Sequence, residues 1–141
     1  MRILIVDDDF SNRVLLQTLM GESGECTLEG SGKSALGAFV KALHDGAPFD
    51  LVLLDIVMPD LDGQELLLLI REAERRWGVE IGQETKVIMI TSVSDPKEAI
   101  KSFFRGSATA YLVKPIDKHM LDGKIKELFA PPQMDEATAK A

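Results

Sequence analysis

The chain has 141 residues, 45% of them hydrophobic, and carries a formal net charge of -7 at neutral pH. That length holds one ordinary domain with a real core, the acidic balance argues against a basic nucleic-acid-binding face, and no apolar run approaches the ~20 residues needed to cross a bilayer. Met1-Arg2 leads straight into a strand-like segment without a signal-peptide layout, so the cytoplasm is the expected compartment.

Five short strand-like runs alternate with helical patterns. Ile3-Leu4-Ile5-Val6 is purely aliphatic and ends in Asp7-Asp8-Asp9. The helix pattern that follows carries Val14, Leu15, Leu16, Leu19 and Met20, stops at Gly21 and Gly24, and takes Asp9 as its starting acid. A weaker second strand runs over 26–29; its Cys26, the single cysteine, cannot form an intrachain disulfide and reads as a small buried hydrophobe. Gly30-Ser31-Gly32 opens a second helix bearing Ala35, Leu36, Phe39, Val40 and Leu43, ended near Asp45-Gly46. Leu51 to Leu54 form the third strand, which delivers Asp55.

A third helix is predicted over 64–76, with Asp62 as a possible N-cap and Leu66, Leu67, Ile70 and Ala73 as its stripe. The connection over 77–84 is Gly-punctuated and long; it reads as a lengthened helix with an inert loop, or as a partner contact using Trp77. Val87 to Ile90 form the fourth strand, ending at Thr91-Ser92. Ser94-Asp95-Pro96 starts a fourth helix through about Arg105. Tyr111-Leu112-Val113 is a short fifth strand before Lys114-Pro115, and the last helix spans 117–129 with Leu121, Ile125 and Leu128 inward. Gly123 weakens that helix and would suit close approach by a partner helix. His44 and His119 lie on polar stretches. Residues 1–130 therefore make one domain, and 131–141 a frayed tail.

Strands alternating with helices imply a parallel sheet covered on both faces, with the most apolar strands, the first and third, inside it. All strand C-termini then share one edge. That edge collects Asp7, Asp8, Asp55, Thr91 and Lys114: three carboxylates, a hydroxyl and an ammonium. Three clustered acids repel one another, and Mg²⁺, which takes oxygen ligands, would relieve them. Asp55 could then act as a nucleophile toward phosphorus, with Lys114 and Thr91 on the phosphoryl oxygens. Without metal, repulsion should raise some of the acids' pKa values and destabilise the fold as pH rises through neutrality.

Taken together, Val6-Asp7-Asp8, the segment Asp55-x-x-Met58-Pro59-x-x-Asp62-Gly63, Thr91-Ser92 and Tyr111-x-x-Lys114-Pro115 resemble the receiver domain of two-component response regulators. The resemblance implies an α/β, doubly wound, five-stranded parallel sheet of flavodoxin-like order 2-1-3-4-5. It implies Asp55 as phosphoacceptor, Mg²⁺ held by Asp8, Asp55 and the Val57 carbonyl with Asp7 acting through water, and Thr91 and Lys114 on the phosphoryl group. Tyr111 would be the rotating aromatic of the switch, though it also reads as a plain packed ring, and Lys114-Pro115 would be cis. The donor would be a sensor histidine kinase or a phosphotransfer protein. Output would be a change of the face made by the fourth helix, fifth strand and last helix, read by a downstream protein.

No output domain follows Pro132, so a stand-alone receiver is expected, as a monomer or a phosphorylation-dependent dimer, rather than an enzyme. The resemblance places Val57 and Val93 at two positions whose side chains lie near the attacking water in the family, and neither can hydrogen-bond it, so self-dephosphorylation should be slow. Two rivals remain: a degenerate receiver serving as a scaffold, and a haloacid-dehalogenase-type phosphohydrolase, which Asp7-x-Asp9-x-Ser11 superficially fits.

Overall fold

A computed structural model describes residues 1–92 and 109–130. The predicted helix over 94–105, Val93 and the predicted tail over 131–141 lie outside the described residues. Five strands, β1 (Arg2–Val6), β2 (Glu25–Glu29), β3 (Leu51–Asp55), β4 (Lys86–Thr91) and β5 (Ala110–Val113), form one sheet in the order β2-β1-β3-β4-β5. Every adjacent pair is parallel. β3 is the central strand and is buried along its whole length, as its unbroken apolar run requires when both faces are covered. β2 and β5 are the edges, and β2 is correspondingly only half-buried.

Among the described residues four helices flank the sheet: α1 (Phe10–Met20), α2 (Gly32–His44), α3 (Gly63–Trp77) and α4 (Lys118–Phe129). The pleat divides the core in two. Leu4, Val6, Val52, Leu54, Val87 and Met89 point one way and pack under Phe39 of α2 and Leu66, Leu67 and Ile70 of α3. Ile3, Ile5, Leu51, Leu53, Ile88 and Ile90 point the other way, against Leu16 and Met20 of α1 and Leu121 of α4.

The helix starts are local chemistry. Asp9, Ser31, Asp62 and Asp117 each accept a hydrogen bond from the backbone N–H three residues on, which satisfies a donor the helix cannot. Asp9 and Asp62 thus take the roles expected of them. Two helix stripes differ from expectation. Val14 and Leu15 of α1 and Val40 of α2 are exposed, and the buried faces of these helices are narrower than their apolar content suggested. Cys26 is half-buried, and burial pushes its thiol pKa up. At Gly123 a side chain would meet open space, so no part of the described chain closes on that glycine.

The connection after α3 is tied down. Gly78 adopts φ +79°, the left-handed cap that ends a helix, and its N–H donates to Arg75 and Glu74 carbonyls. Beneath it Arg71 Nη1 donates to Glu74 Oε1 at 2.7 Å and to the Thr85 carbonyl at 2.9 Å. The Thr85 N–H donates to Glu74 Oε2 at 2.7 Å, and its hydroxyl to the Phe49 carbonyl at 2.8 Å. This buried pair fastens the bottom of α3 to the start of β4. Trp77 is half-exposed, with its ring 5.7 Å from that of His44.

Candidate functional site

β3 ends on Asp55, which is only 7% exposed; the strand pairs with β1 up to Leu54 and with β4 up to Asp55 itself. Pairing even continues past it: the Ile56 N–H donates to the Ile90 carbonyl at 3.1 Å. The chain then turns back so tightly that the Gly63 N–H reaches the Ile56 carbonyl at 2.8 Å. A Cβ at Gly63 would collide with the Asp55 carbonyl oxygen and come within 2.8 Å of the Ile56 Cα, so only glycine lets α3 start this close to the acid.

β1 delivers Asp7 and Asp8. Asp7 is 1% exposed. Its Oδ1 accepts from the Asp9 N–H at 2.9 Å, and its carbonyl accepts from Arg13 Nη1 at 2.7 Å. Its other carboxylate oxygen, Oδ2, is buried without a hydrogen-bond partner. Asp8 is exposed. One carboxylate oxygen each of Asp7, Asp8 and Asp55 lie within 4.8 Å of one another.

Lys114, directly after β5, closes the group. Its Nζ stands 3.7 Å from Asp55 Oδ1 and 3.8 Å from Asp7 Oδ2, ion-pair distances too long for hydrogen bonds. The Lys114-Pro115 peptide is cis, as the resemblance implied. Thr91, the last residue of β4, is buried, and its Oγ1 lies 3.3 Å from the Ser92 carbonyl. Asp55 pairs in register with Ile90, so Thr91 is one step beyond the acid on the neighbouring strand. Tyr111 sits on the edge strand β5, 39% exposed. Val57 projects outward, 64% exposed, and its N–H donates weakly to Asp55 Oδ1 at 3.4 Å.

The structure therefore brings Asp7, Asp8, Asp55, Lys114 and Thr91 to one edge. The Asp55 pKa is raised from 3.8 to about 6, first by burial and then by the charge of Asp7, against the pull of Lys114 and the Val57 N–H. The expected rise in an acid's pKa is thus present at Asp55, with burial ahead of repulsion as its cause, and the affected window lies below neutrality rather than through it. A buried carboxylate oxygen with no hydrogen-bond donor, beside two more acids, makes a set that could hold a cation in addition to the Lys114 ammonium. Mg²⁺, a hard ion that accepts carboxylate and carbonyl oxygens and keeps several waters, fits this donor set.

Two contributors were not foreseen. Arg13 holds the Asp7 peptide and lies against Gly30, where a Cβ would come within 2.9 Å of its Nη1. Asp60 reaches across to α2, accepting from the Gly32 and Lys33 N–H groups at 3.2 Å each. Both have partners distant in sequence or on the main chain, which composition and periodicity do not display. Asp9, on which the phosphohydrolase reading leaned, is spent as the cap of α1.

Comparison with known proteins agrees with the geometry. Residues 3–126 match the family model of the response regulator receiver domain. The chain is 34% identical over 139 residues to the transcriptional regulatory protein AruR of Pseudomonas aeruginosa, covering 98% of this chain and 53% of AruR. It is 33% identical over 120 residues to the sensor protein GacS of Pseudomonas syringae, covering 85% of this chain and 12% of GacS. This chain thus spans about half of one relative and a small part of the other. Among solved structures, the receiver domain of the Arabidopsis thaliana histidine kinase CKI1, complexed with Mg²⁺, superposes with a TM-score of 0.77 at 28% identity, covering 90% of each chain. With a sheet of the same order as expected, one acidic edge, and a family match over nearly its whole length, the chain belongs to the response regulator receiver domain family.

Proposed function

We propose that Asp55 accepts a phosphoryl group from a sensor histidine kinase or a phosphotransfer protein, and that the phosphorylated chain signals by binding a downstream protein. The observation that carries this reading is the convergence of Asp7, Asp8 and Asp55 within 4.8 Å, with Lys114 Nζ 3.7 Å from Asp55 and an orphaned oxygen on Asp7. An Asp55 oxygen attacks the phosphorus, a new O–P bond forms, and the bond from phosphorus to the donor atom breaks. The Lys114 ammonium lies where it can neutralise a phosphoryl oxygen, and Thr91 can donate its hydroxyl to another. Asp8, Asp55 and the Val57 carbonyl would hold Mg²⁺, with Asp7 acting through water. The ion supplies charge neutralisation of the transferring group. At pH 7 an Asp55 whose pKa is about 6 is largely ionised and able to attack.

The exposed position of Tyr111 supports a switching role. Phosphorylation adds nearly two negative charges at the edge. Thr91 drawn toward them leaves space behind β4, which the half-exposed Tyr111 ring on β5 would turn to fill. The surface that changes would be that of β5, α4 and the predicted helix over 94–105, which lies outside the described residues. Among the described residues no helix is long and apolar enough to cross a membrane. On the donor side, Phe10 is 70% exposed and Val14 and Leu15 are exposed with it, beside the acids, which gives a protein donor an apolar face to rest on.

The test is incubation with acetyl phosphate and Mg²⁺. One phosphate per chain is expected, lost in Asp55→Ala, with acetate released. An unlabelled wild-type chain would favour a protein-binding scaffold, and turnover of a phosphate ester without a stable adduct would favour a phosphohydrolase.

A further inference from the structure

The loop between β3 and α3 is held at both ends. At its start, Ile56 is buried and bonded to β4 through its N–H. Met58 is buried in the core two residues on, and Pro59 then fixes φ. At its far end the Asp60 carboxylate spans two amides of α2, Oδ1 accepting from Gly32 and Oδ2 from Lys33, each at 3.2 Å. These amides are not the one that Ser31 caps, which belongs to Ser34. The orphan donors of α2 are therefore shared between a local serine and an acid 28 residues downstream.

A second contact makes the same junction. A Cβ at Gly32 would lie 2.5 Å from the Leu61 carbonyl oxygen and 2.6 Å from its Cβ. The backbone of α2 and the loop can meet this closely only because residue 32 has no side chain. The Asp60 pKa is held below the ordinary carboxylate value by the Leu61 amide first, and by those of Lys33 and Gly32. The carboxylate is thus ionised, and acts as a fixed acceptor, throughout the neutral range.

Only residues 57–59 lie between the two anchors, and Val57 is among them. We propose that Asp60 is a positioning residue: by latching the loop to the N-terminus of α2, it fixes the Val57 peptide, and with it the carbonyl that would ligate Mg²⁺. The inference rests on the reading of the site given under Proposed function. A metal site whose carbonyl ligand floats binds less tightly, because ordering that ligand is then charged against the ion.

The experiment is Mg²⁺ titration of the full chain by calorimetry, comparing wild type, Asp60→Ala, Asp60→Asn and Gly32→Ala. Loss of such an outer support should raise the Mg²⁺ Kd of Asp60→Ala by about tenfold. Asp60→Asn keeps one carbonyl oxygen facing the same amides and should recover most of that loss. Gly32→Ala should behave like Asp60→Ala. With acetyl phosphate, the Asp60→Ala deficit should appear at low Mg²⁺ and vanish at saturation. Faster hydrogen exchange at the Gly32 and Lys33 amides would report release of the latch directly. A lowered Tm with wild-type Mg²⁺ affinity would overturn the proposal and leave Asp60 a helix cap. A wild-type chain that binds no Mg²⁺ would bring down the reading of the site itself, and this proposal with it.

Discussion

The two ends of the sheet handle buried charge in opposite ways. At the N-terminal end Arg71 and Glu74 form a pair at 2.7 Å, and both carboxylate oxygens of Glu74 are bonded, one to Arg71 and one to the Thr85 N–H. At the C-terminal end Asp7 keeps an oxygen without a donor, and Lys114 stands 3.7 Å and 3.8 Å from the acids. The Arg71–Glu74 pair is saturated and joins two elements, although at the same end Arg2 Nη1 is buried without a hydrogen-bond partner, its guanidinium lying over the Phe49 ring. The C-terminal end is left electrostatically incomplete on a rigid sheet, which is how a site waits for something to bind. Neither buried polarity nor a single unfinished bond therefore sets the C-terminal end apart; three carboxylates within 4.8 Å, one with an orphaned oxygen, do.

The largest effect should come from breaking the saturated pair. Glu74→Ala removes the counter-charge of Arg71 and the acceptor of the Thr85 N–H, and should cost about 3–5 kcal/mol in urea denaturation. Asp8→Asn at the incomplete end removes a repulsive charge and should leave metal-free stability equal or higher. Equal losses in both variants would erase the contrast between the ends.

Ligand binding should complete the second end. At 100 times its Kd, Mg²⁺ should add about 2.7 kcal/mol at pH 7, read as a rise in Tm, and Asp8→Asn should blunt that rise. The metal-free chain has its own pH signature. The folded Asp55 keeps its proton up to about 6, whereas in the unfolded chain it titrates at 3.8. Between those values the folded state binds more protons, so raising the pH favours unfolding across that window, and the effect is complete above it. Mg²⁺ affinity should run the other way, falling as pH drops through about 6, because the proton competes for Asp55. A Tm indifferent to pH over the window, or to Mg²⁺ at pH 7, would count against the incomplete end.

The contrast also separates what the chain displayed from what it concealed. The parallel sheet and its acidic edge were legible because Asp7 and Asp55 each follow an uninterrupted apolar run and parallel strands must end together, whereas the strand order came from the family resemblance. Asp9 and Asp62 were legible because caps act over three residues; Asp117, read as the first residue of the last helix, is its cap instead. Asp60 was not: it reads as the polar residue of a Pro-Asp turn, and its partners Gly32 and Lys33 come from another element. The Arg71–Glu74 pair was hidden for a similar reason. At i,i+3 on a helix it looks like ordinary solvent-side charge, and only the return of Thr85 over it buries both. Exposure of Val14, Leu15 and Val40 escaped as well, since apolar content cannot say how wide a stripe the sheet covers.

The smallest effect concerns how long the phosphate stays. Val57 is 64% exposed beside Asp55, at a position whose side chain, by the family resemblance, would orient the water that attacks the acyl phosphate, and an isopropyl group offers that water no hydrogen bond. Val57→Asn supplies one donor and one acceptor there. A hydrogen bond worth about 1 kcal/mol in the transition state corresponds to about fivefold faster phosphate loss. The decay of the labelled chain after removal of acetyl phosphate reads it directly. Adding Val93→Glu, a position outside the described residues, should speed the decay further. An unchanged or slower rate in the double variant would mean that the lifetime is set elsewhere at this edge, with Lys114 and Thr91 the next groups to examine.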